Sequence, residues 1–317
     1  MTRIKIGLDI MGGDHAPEAC LNGAILAMDE WNERIELSLY GSEKLARSFL
    51  KEKNYDQDRF QYINSESVIG MGENAIKSFQ TKSDSSIALG FKDLARGKIQ
   101  AFSSAGNSGA MLVGAFYSVK TIPGVIRPCL PAMYPKPDGG KNILLDVGIN
   151  ADCKSDVLYQ FGIIGRIYAR YMHAIENPKV SLLNMGEEEG KGNQLVQQAY
   201  SLFKDSPDFT FIGNVEGRDL FSDKADVIVC DGFTGNALLK QAEAFHDLLV
   251  QRDIKDAFFD RFDYQNVGGT PILGVNATVV IGHGISNSTA IKNMIGTTMN
   301  LVDKNIVGHL KESFENE

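Results

Sequence analysis

Lys191 and Asn236 are the residues whose types and settings most invite chemistry. Lys191 stands between two glycines in the run Asn184-Met185-Gly186-Glu187-Glu188-Glu189-Gly190-Lys191-Gly192-Asn193. Flanking glycines let a backbone approach a ligand closely, and an ammonium there can stabilise phosphate or a developing oxyanion; a solvated lysine is the plainer alternative. Asn236 ends Asp231-Gly232-Phe233-Thr234-Gly235-Asn236 at the start of a predicted helix. Its amide N–H₂ can serve an oxyanion, with Gly235 allowing close approach, or it can cap the helix.

Three further loops have anion-binding character. Gly12-Gly13-Asp14-His15-Ala16-Pro17-Glu18 follows the first apolar run. There Gly13 and Asp14 offer backbone, and His15 can act as acid, base or phosphate ligand, or only pack the turn. Ser103-Ser104-Ala105-Gly106-Asn107-Ser108-Gly109-Ala110 is small and polar before a helix, so Ser104, Asn107 and Ser108 are candidate phosphate contacts. Close helix–sheet packing accounts for the same residues. His283, in Gly282-His283-Gly284-Ile285-Ser286, has a setting like that of His15. Gly70-Met71-Gly72-Glu73-Asn74-Ala75 copies the spacing of a dinucleotide fingerprint. It follows a poor strand far from the first one, so no nicotinamide site is expected. The consecutive Glu187, Glu188 and Glu189 cannot all face one ion, and no metal is expected there.

These loops recur in one pattern: a short apolar run, a Gly/Asn/Asp-rich loop, then helical periodicity. The runs cover residues 4–10, 99–103, 142–147, 180–183, 209–212, 227–230 and 275–281. Strands nearly continuous in apolar residues and alternating with helices predict a mostly parallel sheet covered on both faces, with ligands at the strands' C-terminal edge. Residues 155–175 carry Leu158, Phe161, Ile164, Tyr168, Tyr171 and Ile175 at spacings of three and four and stop before Asn177-Pro178, predicting a helix. The 317 residues, without a linker or repeat, read as one domain over 1–317 or as two interlocked α/β lobes.

A net charge of −8 without a basic run argues against nucleic-acid binding. The N-terminus lacks a secretory leader, and no run approaches a membrane span, so a cytoplasmic protein is expected. Cys20, Cys129, Cys153 and Cys230 are widely spaced and read as free, mostly buried thiols rather than a zinc site or disulfide framework.

GGDHAP, SAGNSGAM, LLDVGINAD, LLNMGEEEGKGN, IGNVEGRDL, DVIVCDGFTGNALLK and GGTPILGVNATVVIGHGIS occur in one order over nearly the whole chain. Together they resemble the PlsX-type phosphate acyltransferases of bacterial phospholipid synthesis. The resemblance implies a three-layer α/β/α Rossmann-like fold related to the isocitrate-dehydrogenase-like and phosphotransacetylase folds. It implies transfer of a long-chain acyl group from acyl carrier protein to inorganic phosphate, and an acyl phosphate passed on to a glycerol-3-phosphate acyltransferase. It also implies a homodimer, no nucleotide or metal cofactor, and Lys191 and Asn236 as the catalytic pair. The rival readings are a short-chain phosphotransacetylase-like enzyme, a metal-dependent decarboxylating dehydrogenase and a non-catalytic phosphometabolite-binding protein.

The chain departs from the family pattern in two places. Residues 242–264 are short and charged where many members carry a longer hairpin associated with membrane contact, so peripheral attachment at the inner membrane face is in question. Core packing is expected of Ile254, Phe258, Phe259 and Phe262. In GMGENAIKSFQTKSDSS, proline and arginine are missing near Ala75 and Phe79, while Lys82, Ser85 and Ser86 match. Docking of an acidic carrier protein would need a basic patch, for which Arg166, Arg170 and Lys179 are candidates.

Overall fold

The computed structural model describes residues 3–315. In chain order the elements begin β1 (Ile4–Asp9), α1 (Glu18–Trp31), β2 (Ile35–Gly41), α2 (Glu43–Glu52), β3 (Phe60–Asn64), α3 (Ala75–Thr81), α4 (Ser86–Ala95), β4 (Ala101–Ser104) and α5 (Ser108–Gly114). They continue with β5 (Pro131–Pro135), β6 (Lys141–Leu145), α6 (Ser155–His173), β7 (Lys179–Leu183), α7 (Gln194–Lys204), β8 (Thr210–Val215), β9 (Val227–Val229) and α8 (Gly232–Gln251). They end with α9 (Tyr264–Val267), β10 (Gly269–Pro271), β11 (Thr278–Gly282), α10 (Ser288–Asp303) and α11 (Ile306–Glu315). The chain divides into two compact units, one of residues 1–121 and 264–307, the other of residues 122–263 and 308–317.

Unit 1 holds the sheet β10-β11-β4-β1-β2-β3, parallel except for β10. Neighbouring residues of β4 show how it is covered. Phe102 packs on Phe91 and against Gly90 of α4. The next residue, Ser103, meets Thr298 of α10 through a 2.7 Å hydroxyl–hydroxyl bond. Successive strand side chains point to opposite faces, so α4 and α10 cover opposite faces of the sheet. Phe102 is wholly buried; trimming such a ring to alanine costs about 3–5 kcal/mol.

Unit 2 holds the sheet β5-β6-β9-β7-β8, parallel except for β5. Val227 and Leu145 press on Gly165 of α6, where any added Cβ would collide with both. Their neighbours Ile228 and Leu144 point the other way, into a core with Tyr134, Val147 and Leu220 that Leu238, Leu239 and Ala242 of α8 help to cover. Each unit is thus an α/β/α sandwich, the three-layer class expected above. All seven apolar runs overlap a strand, and the helix predicted over 155–175 ends at His173, where Ala174 turns left-handed.

The strands without a matching expectation have local reasons for being obscure. β2 alternates Ile35, Leu37 and Leu39 with polar neighbours and ends without a glycine-rich loop. β3, β5 and β10 are edge strands, and β5 and β10 carry prolines, which central strands exclude. Residues 242–264 also differ from expectation. α8 continues to Gln251, leaving Phe245, Leu248 and Val250 exposed, and only a single 3₁₀ turn, Phe259–Phe262, follows. Of the aromatic stripe, Phe262 packs on Tyr134 and Phe221, while Ile254 and Phe259 stay exposed. A stripe spread over a helix end and an irregular segment has no common face to bury.

Candidate active site

The polar loops of unit 1 gather at the C-terminal edge of its parallel strands. Asp9, the last residue of β1, is buried, and its carboxylate accepts from the Met11 amide at 2.9 Å and the Ser104 hydroxyl at 2.6 Å. Ser104 Oγ in turn accepts from the Gly106 amide at 2.9 Å. Burial pushes the Asp9 pKa above the ordinary carboxylate value, against the pull of these donors. The bonds press two loops together, because a Cβ on Gly12 would stand 2.6 Å from Gly106 Cα. Gly13 has φ +106°, a conformation reserved for glycine. The Asp14 amide donates to the Gly284 carbonyl at 2.8 Å, tying the β1 loop to the β11 loop. Gly13, Asp14, His15 and His283 therefore occupy joined loops, with Asp14 and both histidines exposed.

Asn107 is differently employed. Its Oδ1 accepts from the Ala110 amide, capping α5, and its Nδ2 donates to the carbonyls of Gly70, Met71 and Glu73 at 3.0–3.2 Å. The side chain staples residues 70–73 in place, and Ser108, the first helical residue, is exposed beside it. The apparent dinucleotide fingerprint is this stapled turn. Glu73 is pulled down to a pKa of about 2 by hydrogen bonds from Lys82 and Ser78. Lys82 also donates to the Val68 carbonyl at 2.7 Å, and Ser85 caps α4. Ser104, Asn107, Lys82 and Ser85 thus hold loops with their side chains, while Gly13, Asp14, His15, Ser108 and His283 reach solvent.

In unit 2, β9 lies between β6 and β7, so the loops after these three strands open side by side on one edge. The loop after β7 carries Lys191 and the helix after β9 carries Asn236. Asn184 organises the first. Its Oδ1 accepts from the Met185 amide, its Nδ2 donates to the Lys191 carbonyl at 3.1 Å, and Gly192, at φ +90°, packs on it with no room for a Cβ. The Lys191 methylenes lie along buried Gly186, where a Cβ would stand 3.1 Å from Lys191 Cγ. The glutamates diverge: Glu187 pairs with Lys224 at 2.6 Å and Glu189 with Lys204 at 3.1 Å. Lys191 is exposed and forms no ion pair among the described residues.

Asn236 is not the helix cap. Asp231 caps α8, accepting from the Thr234 amide and hydroxyl, each at 2.8 Å. Asn236 sits a full turn inside the helix, exposed, with its side-chain oxygen 3.6 Å from where a Cβ on Gly148 would stand. Gly235 is buried against the Asp146 carbonyl so closely that no side chain fits. Asp146, just after β6, is itself buried. Its carboxylate accepts from the amides of Leu130 (2.9 Å), Ile149 (3.1 Å) and Asn150 (2.7 Å) and from Asn150 Nδ2 (3.0 Å). Sequence reasoning assigned no role to Asp9, Asp146, Asn150 or Asn184. The available signal for the first two was an acid next to last in an apolar run, in LDIMGGD and LDVGINAD.

The thiols are quiet. Burial is the largest influence raising the pKa of Cys230 and of Cys153, which reaches about 12, with Asp146 and Asp231 adding to it. Both stay protonated near neutral pH and are poor nucleophiles. Of the candidate docking residues, Arg170 pairs with Glu176, and Lys179 donates to the Asp223 carbonyl. Lys179 opens β7 and Arg170 lies in the last turn of α6, placing both at the edge opposite Lys191 and Asn236.

Two α/β/α units with polar loops on the C-terminal strand edges define a phosphotransacetylase-like fold. A phosphotransacetylase from Streptococcus pyogenes aligns with TM-score 0.68 and 17% identity over 95% of this chain and 94% of that one. A branched-chain phosphotransacylase from Enterococcus faecalis aligns with TM-score 0.65 and 15% identity over 94% and 99%. The family model described as "Fatty acid synthesis protein" matches residues 4–254 and 244–309. A protein of Halothermothrix orenii named phosphate acyltransferase is 40% identical over 99% of both chains, and one of Dictyoglomus thermophilum with the same name is 42% identical over 92% of both. This chain belongs to that phosphate acyltransferase family.

Proposed function

We propose that the chain transfers a long-chain fatty acyl group from an acyl carrier protein thioester to inorganic phosphate. The observation that carries the assignment of groups is the pair of exposed donors on adjacent loops of unit 2: the Lys191 ammonium and the Asn236 amide. A phosphate oxygen attacks the thioester carbonyl, the C–S bond breaks, and the pantetheine thiolate and an acyl phosphate leave. Phosphate is anionic at neutral pH, and a thiol of pKa about 8.5 is a fair leaving group. The step therefore asks for orientation and for stabilisation of the tetrahedral oxyanion. Lys191 and Asn236 supply donors for that charge and for phosphate. Gly13, Asp14, His15, Ser108, Gly235 and His283 are proposed as further substrate contacts through backbone or side chain, with Ser104 and Asn107 holding the loops. The raised thiol pKa values support direct transfer over a cysteinyl intermediate.

The reading extends to a homodimer and to delivery of acyl phosphate to a glycerol-3-phosphate acyltransferase. Among the described residues, no helix is long and apolar enough to cross a membrane. The test is acyl phosphate formation from long-chain acyl carrier protein, with and without phosphate, beside a short-chain coenzyme A thioester. Phosphate-dependent product from the long-chain substrate is expected. Turnover of the short-chain thioester alone would replace this reading with a phosphotransacetylase.

A further inference from the structure

Asp146 takes no part in the chemistry above, yet the catalytic edge of unit 2 is built around it. Its carboxylate gathers four N–H donors, three of them from residues 149 and 150. The loop so folded touches α8 at successive points. The Asn150 carbonyl accepts the first helical amide, Gly232 N, at 2.7 Å. A Cβ on Gly232 would stand 2.7 Å from the Asp146 carboxylate and 2.9 Å from the Asn150 amide. A Cβ on Gly235 would run into the Asp146 carbonyl, and Gly148 faces the Asn236 side chain. Gly232 and Gly235, three residues apart, lie on one face of the helix. That face is seated on Asp146 and its loop, and the next residue, Asn236, is exposed with its side chain beside Gly148 of the same loop. Asn150 Nδ2 also donates to the Pro128 carbonyl at 2.8 Å, which anchors the loop from behind.

We infer that Asp146 is a positioning residue that sets the depth and rotation of the α8 N-terminus, and thereby aims the Asn236 amide at the reacting carbonyl. The inference rests on the reading of Asn236 as an oxyanion donor. A carboxylate suits this seat because it only accepts; an amide would turn an N–H₂ toward at least one of the four donors. Its negative charge also lies at the positive end of α8.

The experiment is a double-mutant cycle of Asp146→Asn and Asn236→Ala, following phosphate-dependent acyl phosphate formation from long-chain acyl carrier protein, with circular dichroism as the check on folding. Asp146→Asn alone is expected to lower kcat about 10²-fold, the scale of a misplacement of about an ångström. KM for the acyl substrate should stay within about twofold, since no substrate contact is removed. In the Asn236→Ala background the same change should cost less than about threefold, because the group it positions is gone. Full additivity, or wild-type kcat in Asp146→Asn, overturns the inference and leaves acyl transfer standing. Wild-type kcat in Asn236→Ala overturns it as well, since nothing is left to aim. A wild-type chain without phosphate-dependent turnover overturns the acyl-transfer reading and the inference with it. Should Asp146→Asn fail to fold, Asn150→Ala keeps the carboxylate and removes one of its donors. It should lower kcat about 10-fold and lose that effect beside Asn236→Ala; additivity there overturns the inference equally.

Discussion

Asn107 in unit 1 and Asn236 in unit 2 follow similar stretches, Ser104-Ala105-Gly106-Asn107 and Phe233-Thr234-Gly235-Asn236, yet they have opposite occupations. Asn107 precedes the first helical residue, where unpaired amides are within reach, and it caps α5 while its Nδ2 holds three carbonyls. Asn236 lies a turn further in, behind a helix already capped by Asp231, and its amide is exposed. The free amides of a helix start occupy whichever side chain comes first. A shift of a few residues therefore separates a structural asparagine from one available to a substrate. The buried acids repeat the contrast. Asp9 is held partly by a hydroxyl from the neighbouring strand, whereas the donors to Asp146 are three backbone amides and a loop asparagine.

The comparison breaks first if the exposed donors of unit 2 are idle. Lys191→Ala and Asn236→Ala should each cut kcat about 10²–10³-fold with folding intact; near-normal acyl phosphate formation in both would remove unit 2 from the chemistry. His15→Ala tests whether the exposed side of unit 1 meets substrate. Losing a hydrogen bond to an anion costs about 10-fold or more, so KM for phosphate should rise by that order without a change in melting temperature. Ser104→Ala tests the held side. It strips a donor from the buried Asp9 carboxylate and should destabilise the fold by about 1–3 kcal/mol, read in denaturant melts.

The smallest effect concerns Glu73. Its folded pKa, about 2, lies below the ordinary value of 4.5, so the unfolded chain binds the extra proton between those values. The stability contributed by Glu73 is complete above about pH 4.5 and is lost as pH falls toward 2. Glu73→Gln should lower the melting temperature slightly at pH 6, and the difference from wild type should vanish toward pH 2. A difference constant with pH would show that the Lys82–Glu73 pair contributes nothing of its own.

Much of the fold was legible because strand and helix signals are local. Every apolar run from 4–10 to 275–281 overlaps a strand, though β8 runs on through Gly213, Asn214 and Val215, where the polar loop was expected to begin. β2 and the proline-bearing edge strands β5 and β10 were obscure because alternation and edge chemistry dilute an apolar run. The site was legible in its residue types but not in their employment. Lys191, Asn236, His15 and His283 could be picked out as candidates; that Ser104 and Asn107 spend their side chains on Asp9 and on residues 70–73 could not.

The chain by itself determined that polar, glycine-rich loops would collect at the C-terminal ends of buried parallel strands, since apolar runs and turn residues are written within a few neighbours of one another. Tertiary structure decided which of those polar groups are left over for a substrate. Ser104 meets Asp9 across 95 positions and Asn107 meets Gly70 across 37, distances at which sequence carries no record of pairing. A polar side chain is a reagent only when the folded neighbours have not already claimed its hydrogen bonds, and only the fold brings those neighbours together.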